Sequence, residues 1–202
     1  KAGEALDRGE YGAALTLTAR AILPEGSGLD PEEVARINAA AAAKTGRALY
    51  WLGRKAEAFA VMRRAAETVA GPGWEERPDP VLHIVPKTER QDIAELFFWL
   101  ARAGLETEGF WIVLPALDMA GALDDGRLGK LPIAYTRATL HDALFDPQAA
   151  EDEFARAVEV AIAAGNPEDL LMARYYLALR RYATTGADPE AAELIALTRQ
   201  MA

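Results

Sequence analysis

The stretch Gly9-Glu10-Tyr11-Gly12-Ala13-Ala14-Leu15-Thr16-Leu17-Thr18-Ala19-Arg20-Ala21 sets one small residue, Ala14, in line with Thr18 and Ala21. Steps of four and three residues return to the same face of a helix with 3.6 residues per turn. The stripe recurs down the chain as Ala58, Met62, Ala65 and Val69, and then as Gly109, Val113, Ala116 and Ala120. Ala150, Phe154, Ala157 and Ala161 follow, and Ala191, Ile195 and Thr198 close the series. The leading small residues are 44, 51, 41 and 41 positions apart. Repetition at such a period marks stacked supersecondary units. A small residue at each step lets two helices approach closely, while its larger neighbours pack on the next pair.

The rest of the pattern agrees with helices. Asp30-Pro31, Asp146-Pro147, Asn166-Pro167 and Asp188-Pro189 each put a side-chain acceptor before a proline. That order suits an N-cap followed by the first helical position, where the missing N–H is harmless. Thr88-Glu89-Arg90-Gln91 reads as a capping box before Ile93 to Ala103. Gly53, Gly71, Gly104, Gly165 and Gly186 read as stops. Alternation typical of strands is nearly absent, and the one extended candidate, Val81 to Val85, has proline on both sides. The chain is therefore expected to be all-α, with about ten helices. A single domain over 1–202 is expected, with hairpins near 1–24, 31–70, 88–122, 132–165 and 167–202 and irregular segments at 71–87 and 123–131.

Gly9-x-Tyr11-x-x-Ala14, with residues four and seven further on, resembles the second half of a tetratricopeptide repeat. Gly46 to Ala65 resembles it too. The family period is about 34 residues, so the units here are longer. They resemble the degenerate repeats of bacterial regulatory proteins. Pro115 falls inside the second helix of the third unit and should disturb it. The resemblance implies tandem antiparallel hairpins stacked as an α-solenoid, with the first helix of each hairpin lining a concave groove. Carried over by position, the groove-facing residues are Ala40, Ala43, Arg47, Tyr50 and Trp51 in the second unit. In the third they are Gln91, Ala94, Phe98, Ala101 and Arg102. The fourth contributes Tyr135, Thr139 and Asp142, and the fifth Tyr176, Arg180 and Ala183. Among these, Arg47, Tyr50, Trp51, Phe98, Arg102, Tyr135, Asp142, Tyr176 and Arg180 are the candidate partner-binding residues.

Composition narrows the function. Net charge is −9, which repels a phosphate backbone, so direct nucleic-acid binding is not expected. There is no cysteine, hence no disulfide framework, thiolate metal site or thiol nucleophile. No run approaches the roughly 18 apolar residues of a membrane span, and a cytoplasmic setting is expected. The two histidines, His83 and His141, are isolated, and His141-Asp142 are neighbours that point apart on a helix. Asp124-Asp125-Gly126 lacks the alternating ligands of a calcium loop and reads as a turn. No metal-binding, nucleophile-elbow or phosphate-loop motif occurs, so neither catalysis nor a cofactor is expected.

What remains is a binding surface. Arginine, tyrosine and tryptophan dominate interface energetics, and arginine forks carboxylates. The expected partner is a protein or peptide, with an acidic or carboxylate group. Two readings stand: an adaptor using the groove, or a regulatory sensor domain of a larger signalling or transcription-regulating protein that binds a small molecule or peptide. An enzyme with a dispersed site ranks below both. The first helix is short and no polar helix follows Ala191 to Ala202, so a longer parent protein, or a homodimer through a terminal hairpin, is expected to cover Ile195 and Leu197.

Overall fold

The structure, a computed structural model, describes residues 1–24, 26–76, 85–107, 109–124 and 128–201. The described residues form ten α-helices, one short 3₁₀ turn and no strand. The helices are α1 (Ala2–Asp7), α2 (Tyr11–Ala19), α3 (Pro31–Trp51), α4 (Lys55–Ala70) and α5 (Arg90–Leu105). They continue with α6 (Phe110–Leu123), α7 (Lys130–Ala143), α8 (Pro147–Ala164), α9 (Pro167–Thr185) and α10 (Asp188–Met201). The 3₁₀ turn is Trp74–Glu76. None of the described helices is long and apolar enough to cross a membrane. Of the extended candidate, residues 81–84 lie outside the described residues, as do His83 and the Asp125-Gly126 part of the expected turn.

Side-chain caps explain where three of these helices begin. The Glu32 N–H donates to Asp30 Oδ1 at 3.0 Å, and the Ala149 N–H donates to Asp146 Oδ1 at 3.1 Å. The N–H groups of Glu168 and Asp169 both donate to Asn166 Oδ1. Each bond satisfies a donor that the first turn leaves without a partner. The fourth Asp-Pro pair falls one residue later, because α10 already includes Asp188. The expected capping box does not form: Glu89 is the residue before α5 and makes no side-chain cap. The helix starts one residue later than a Thr88 cap would need, and the Glu89 carboxylate pairs with Arg36 Nε at 2.7 Å. Gly165 and Gly186 end α8 and α9 in the left-handed conformation, which costs glycine little. Gly104, by contrast, lies inside α5, and a Cβ there would come within 3.1 Å of the Gly109 carbonyl. It marks a close approach rather than a stop.

The chain divides into two compact units, Lys1–Leu128 and Gly129–Ala202. In the N-terminal unit α1 pairs with α2, α3 with α4 and α5 with α6. Helix α2 also packs on α3, and α4 on α5. First helices touch as well, α1 against α3 and α3 against α5. Enclosed by α3, α4 and α6, α5 fully buries Ile93, Leu96, Phe97 and Leu100. Trp74 is buried and meets Phe97 edge-on, ring centroids 4.7 Å apart. Helix α6 continues through Pro115, a residue that offers no N–H to the Trp111 carbonyl. The C-terminal unit repeats the scheme: α7 pairs with α8, α9 with α10, α8 packs on α9, and α7 touches α9.

The small-residue stripes lie at these contacts. Ala14, Ala58, Ala116, Ala120 and Ala150 are fully buried. In α4 the buried face passes through Ala66, not Ala65. In α10 the phase also differs, with Leu197 3% exposed and Ile195 54%. The face of α10 turned to α9 runs through Ala191, Leu194 and Leu197, which leaves Ile195 outward. Replacing Ala58 or Ala150 by leucine should force extra methyl groups into closed contacts and cost on the order of 1–3 kcal/mol. Glu57→Leu, at an exposed position, should be nearly silent in the same denaturant titration. Equal midpoints for all three variants would show that the stripes do not set the packing.

Candidate functional site

Helix α5 has one stripe that reaches solvent, and it has heptad spacing. Asp92, Glu95, Trp99 and Arg102 are half-buried and Glu106 is exposed, while most other α5 side chains are fully enclosed. Steps of three and four residues keep this stripe on one face, and that face adjoins α3. Across the seam lie Arg36, Lys44, Arg47, Tyr50 and Trp51. Arg36 pairs with Glu89 at 2.7 Å, and Lys44 Nζ with Asp92 Oδ1 at 2.8 Å. The result is a ladder with cations on α3 and carboxylates on α5. Glu95 sits within it, and burial, the largest effect, pushes its carboxyl above the ordinary carboxylate range, with Lys44 and Arg47 pulling the other way.

At the far end of the seam the charges give way to rings. Trp51 stacks on Tyr11 at 6.4 Å and meets Trp99 edge-on at 6.0 Å. Trp99 also touches Tyr50 at 5.4 Å and Phe98 at 5.5 Å. Three cations lie over these faces: Arg47 is 5.6 Å from the Trp99 centroid, Lys55 5.4 Å and Arg102 5.8 Å from that of Tyr50. Such contacts are worth about 0.5–2 kcal/mol each. The Tyr50 hydroxyl donates to Glu106 and accepts from Arg102 Nη2 at 3.2 Å. Lys55 pairs with the same Glu106. Arg47 Nη2 donates to Asp7 Oδ1 at 3.2 Å.

Five of the nine residues expected from sequence therefore meet in the N-terminal unit, in unequal roles. Trp51 is 51% exposed, Arg47 and Arg102 are half-buried, and Tyr50 and Phe98 are enclosed. Trp99 is the residue that counting along the repeat passes over. The signal for it is the polar stripe itself, since Trp99 lies three residues before Arg102 and four after Glu95.

The other four meet in the C-terminal unit. The rings of Tyr135 and Tyr176 are 4.5 Å apart, and Phe154 lies 5.9 Å and 6.2 Å from them. Arg180 Nε is 3.0 Å from Asp142 Oδ1. Beside the rings is an open cavity of about 240 Å³, lined by Leu131, Tyr135, Phe154, Met172, Ala173 and Tyr176 among others. Among the described residues no three acidic or imidazole side chains gather as metal ligands. No family model, curated protein or solved structure matches this chain.

Glu95 gives the N-terminal seam a pH signature. With its proton held more tightly folded than unfolded, it favours folding below its unfolded value, about 4.3. That contribution is lost as pH rises through the higher folded value. Glu95→Gln should therefore gain stability relative to the parent chain on going from about pH 4.5 to about pH 8 in urea unfolding. A difference that does not change with pH would place the Glu95 carboxylate in ordinary solvent.

Proposed function

We propose that this chain is a peptide-binding scaffold of the tetratricopeptide-repeat kind, in which the faces of the first helices form the binding surface. The observation that carries the reading is the α3–α5 seam of the N-terminal unit. There Tyr11, Trp51 and Trp99 are presented among Arg47, Lys55 and Arg102. Rigid aromatic rings beside guanidinium groups are the chemistry of interface anchors. The contacts of α1 with α3, α3 with α5, and α7 with α9 support a stacked-hairpin arrangement within each unit, the arrangement that leaves first helices as a continuous wall.

A peptide with an aromatic or apolar residue next to a carboxylate suits this seam. Arg47 is already paired with Asp7, but the Asp7 side chain is 69% exposed. Exposed ion pairs contribute about 0–1 kcal/mol, so an incoming carboxylate displaces Asp7 at little cost. The aromatic residue then stacks on Trp51 or Trp99.

Selection of peptides from a displayed random library against the purified chain should enrich sequences that combine an acidic with an aromatic residue. Their binding, read by quenching of tryptophan emission, should weaken at least tenfold in Trp99→Ala and in the double variant Arg47→Ala with Arg102→Ala. Far-UV circular dichroism should confirm that both variants remain folded. No enrichment, or full binding by both folded variants, would overturn the reading.

A further inference from the structure

The turn between α7 and α8 closes as the turns after α1 and α3 do. The Phe145 N–H donates to the Asp142 carbonyl at 3.1 Å, and the Asp146 N–H to the His141 carbonyl at 2.9 Å. Gly9 and Glu10 make the same pair of bonds to Leu6 and Ala5, and Gly53 and Arg54 to Tyr50 and Leu49. This helix ending sets one residue in the left-handed region, ordinarily glycine, and Gly9 and Gly53 have φ of 74° and 77°. At the third such turn the residue is Phe145, with φ of 59°, the one non-glycine of positive φ among the described residues. A bulky side chain is disfavoured there, so the turn does not call for phenylalanine. Nor does the core, because Phe145 is 93% exposed. Backbone strain of this kind collects where a chain binds or acts.

The same unit holds a cavity between α7, α8 and α9. Tyr135, Phe154 and Tyr176 wall it, and no charged group lines it. Ala157 and Ala173 are buried beside it, and their short side chains leave the space. At about 240 Å³ it lies below the ~300–1,000 Å³ of sites that enclose a whole small molecule. An apolar cavity of about 150 Å³ already admits a benzene ring, so one phenyl side chain matches this one. Its walls offer faces and edges for the offset or edge-on contacts that rings prefer. Phe145 cannot fill the cavity of its own unit, because ten residues of α7 and its cap, about 15 Å at 1.5 Å per residue, separate it from Tyr135. Charges at the edges are complementary. Exposed Asp146 follows Phe145, and exposed Lys130 precedes Leu131 of the cavity wall.

From a ring that its own unit leaves in water and a cavity of matching size and chemistry, we infer that the C-terminal unit joins copies of this chain. Phe145 of one copy enters the cavity between Tyr135, Phe154 and Tyr176 of another. Ring and cavity are different patches, so the contact is heterologous, and each copy can give one ring and take one. This goes beyond the peptide-binding reading and uses no residue of the α3–α5 seam.

Sedimentation equilibrium of the full chain should show an average mass that rises with concentration. The rise should come only at high concentration, since one ring per contact offers little area against the cost of association. Phe145→Gly should remove the rise while the melting temperature of the dilute protein holds or increases, because glycine suits the left-handed turn. Ala173→Leu, which fills the cavity, should remove it as well. In a mixture of these two variants the Ala173→Leu copy keeps its ring and the Phe145→Gly copy keeps its cavity. Together they should form a one-to-one complex and nothing larger, an outcome that loss of structure does not produce. A mixture that stays monomeric, or a rise that survives in either single variant, would sink the inference. So would a parent chain that is monomeric at every concentration, and titration of toluene by NMR would then assign the cavity to a free apolar ligand.

Discussion

The Met62 thioether occupies the space that a side chain on Gly46 would need. A Cβ built there would stand 2.3 Å from Met62 Sδ and 2.4 Å from its Cγ, well inside contact distance. Glycine in a helix interior ordinarily costs about 0.5–1 kcal/mol relative to alanine. Here it removes the one obstacle to close packing of α3 on α4. Gly109 does the same for Phe59, whose ring would lie 2.6 Å from an added Cβ. Met62 is fully buried and has no vacant space to swing into. The approach at Gly46, with Ala58 one turn from Met62, sets the distance between α3 and α4, and the approach of Gly109 to Phe59 brings the start of α6 against the preceding hairpin. The orientation of the first helices follows from that distance.

Once the hairpins close, α5 is enclosed by α3, α4 and α6, and only one narrow stripe of it can carry polar groups. Polar side chains on that stripe meet the facing stripe of α3, which is why Arg36, Lys44 and Arg47 stand opposite Glu89, Asp92 and Glu95. Ion pairs that still reach solvent add little to stability on their own. Their combined effect is positional: the ladder fixes the register of α3 against α5 and so brings Trp51 and Trp99 within 6.0 Å. Binding chemistry is thereby built from residues whose first role is to align two helices. Salt should weaken the ladder more than the apolar contacts beneath it.

The parts of the fold that were legible in sequence are those whose cause is local. Asp30, Asp146 and Asn166 cap the helices that follow them because the acceptor and the N–H groups it serves are two or three residues apart. The stripe Ala150, Phe154, Ala157 and Ala161 is buried as its spacing indicates. Local signals failed where a distant partner competed. Thr88-Glu89-Arg90-Gln91 has the form of a capping box, yet α5 begins one residue later than that form requires, with Glu89 before its first residue, and Arg36, 53 residues away, pairs with Glu89 there. Ala65 and Ala66 are equally small, and only the azimuth of α4 against α3 decides which is buried. Ile195 and Leu197 differ in the same way in α10. Of the candidate site, Arg47, Trp51, Arg102, Tyr135, Tyr176 and Arg180 were legible as a set of first-helix residues. Trp99 was not, because its role depends on how α5 is rotated in its enclosure, which no pattern within α5 fixes alone.

Close approach at Gly46 makes a direct demand on a double-mutant cycle with Met62. In the parent chain Gly46→Ala should destabilise by about 1–3 kcal/mol through overpacking, although alanine is the better helix former. In a Met62→Ala background, itself lower by about 2–5 kcal/mol, the same change should become neutral or stabilising, because the atoms it meets are gone. Chemical denaturation of the four proteins measures the coupling. A strong favourable coupling is the predicted result. An identical cost of Gly46→Ala in both backgrounds would contradict the dependence of the fold on this contact.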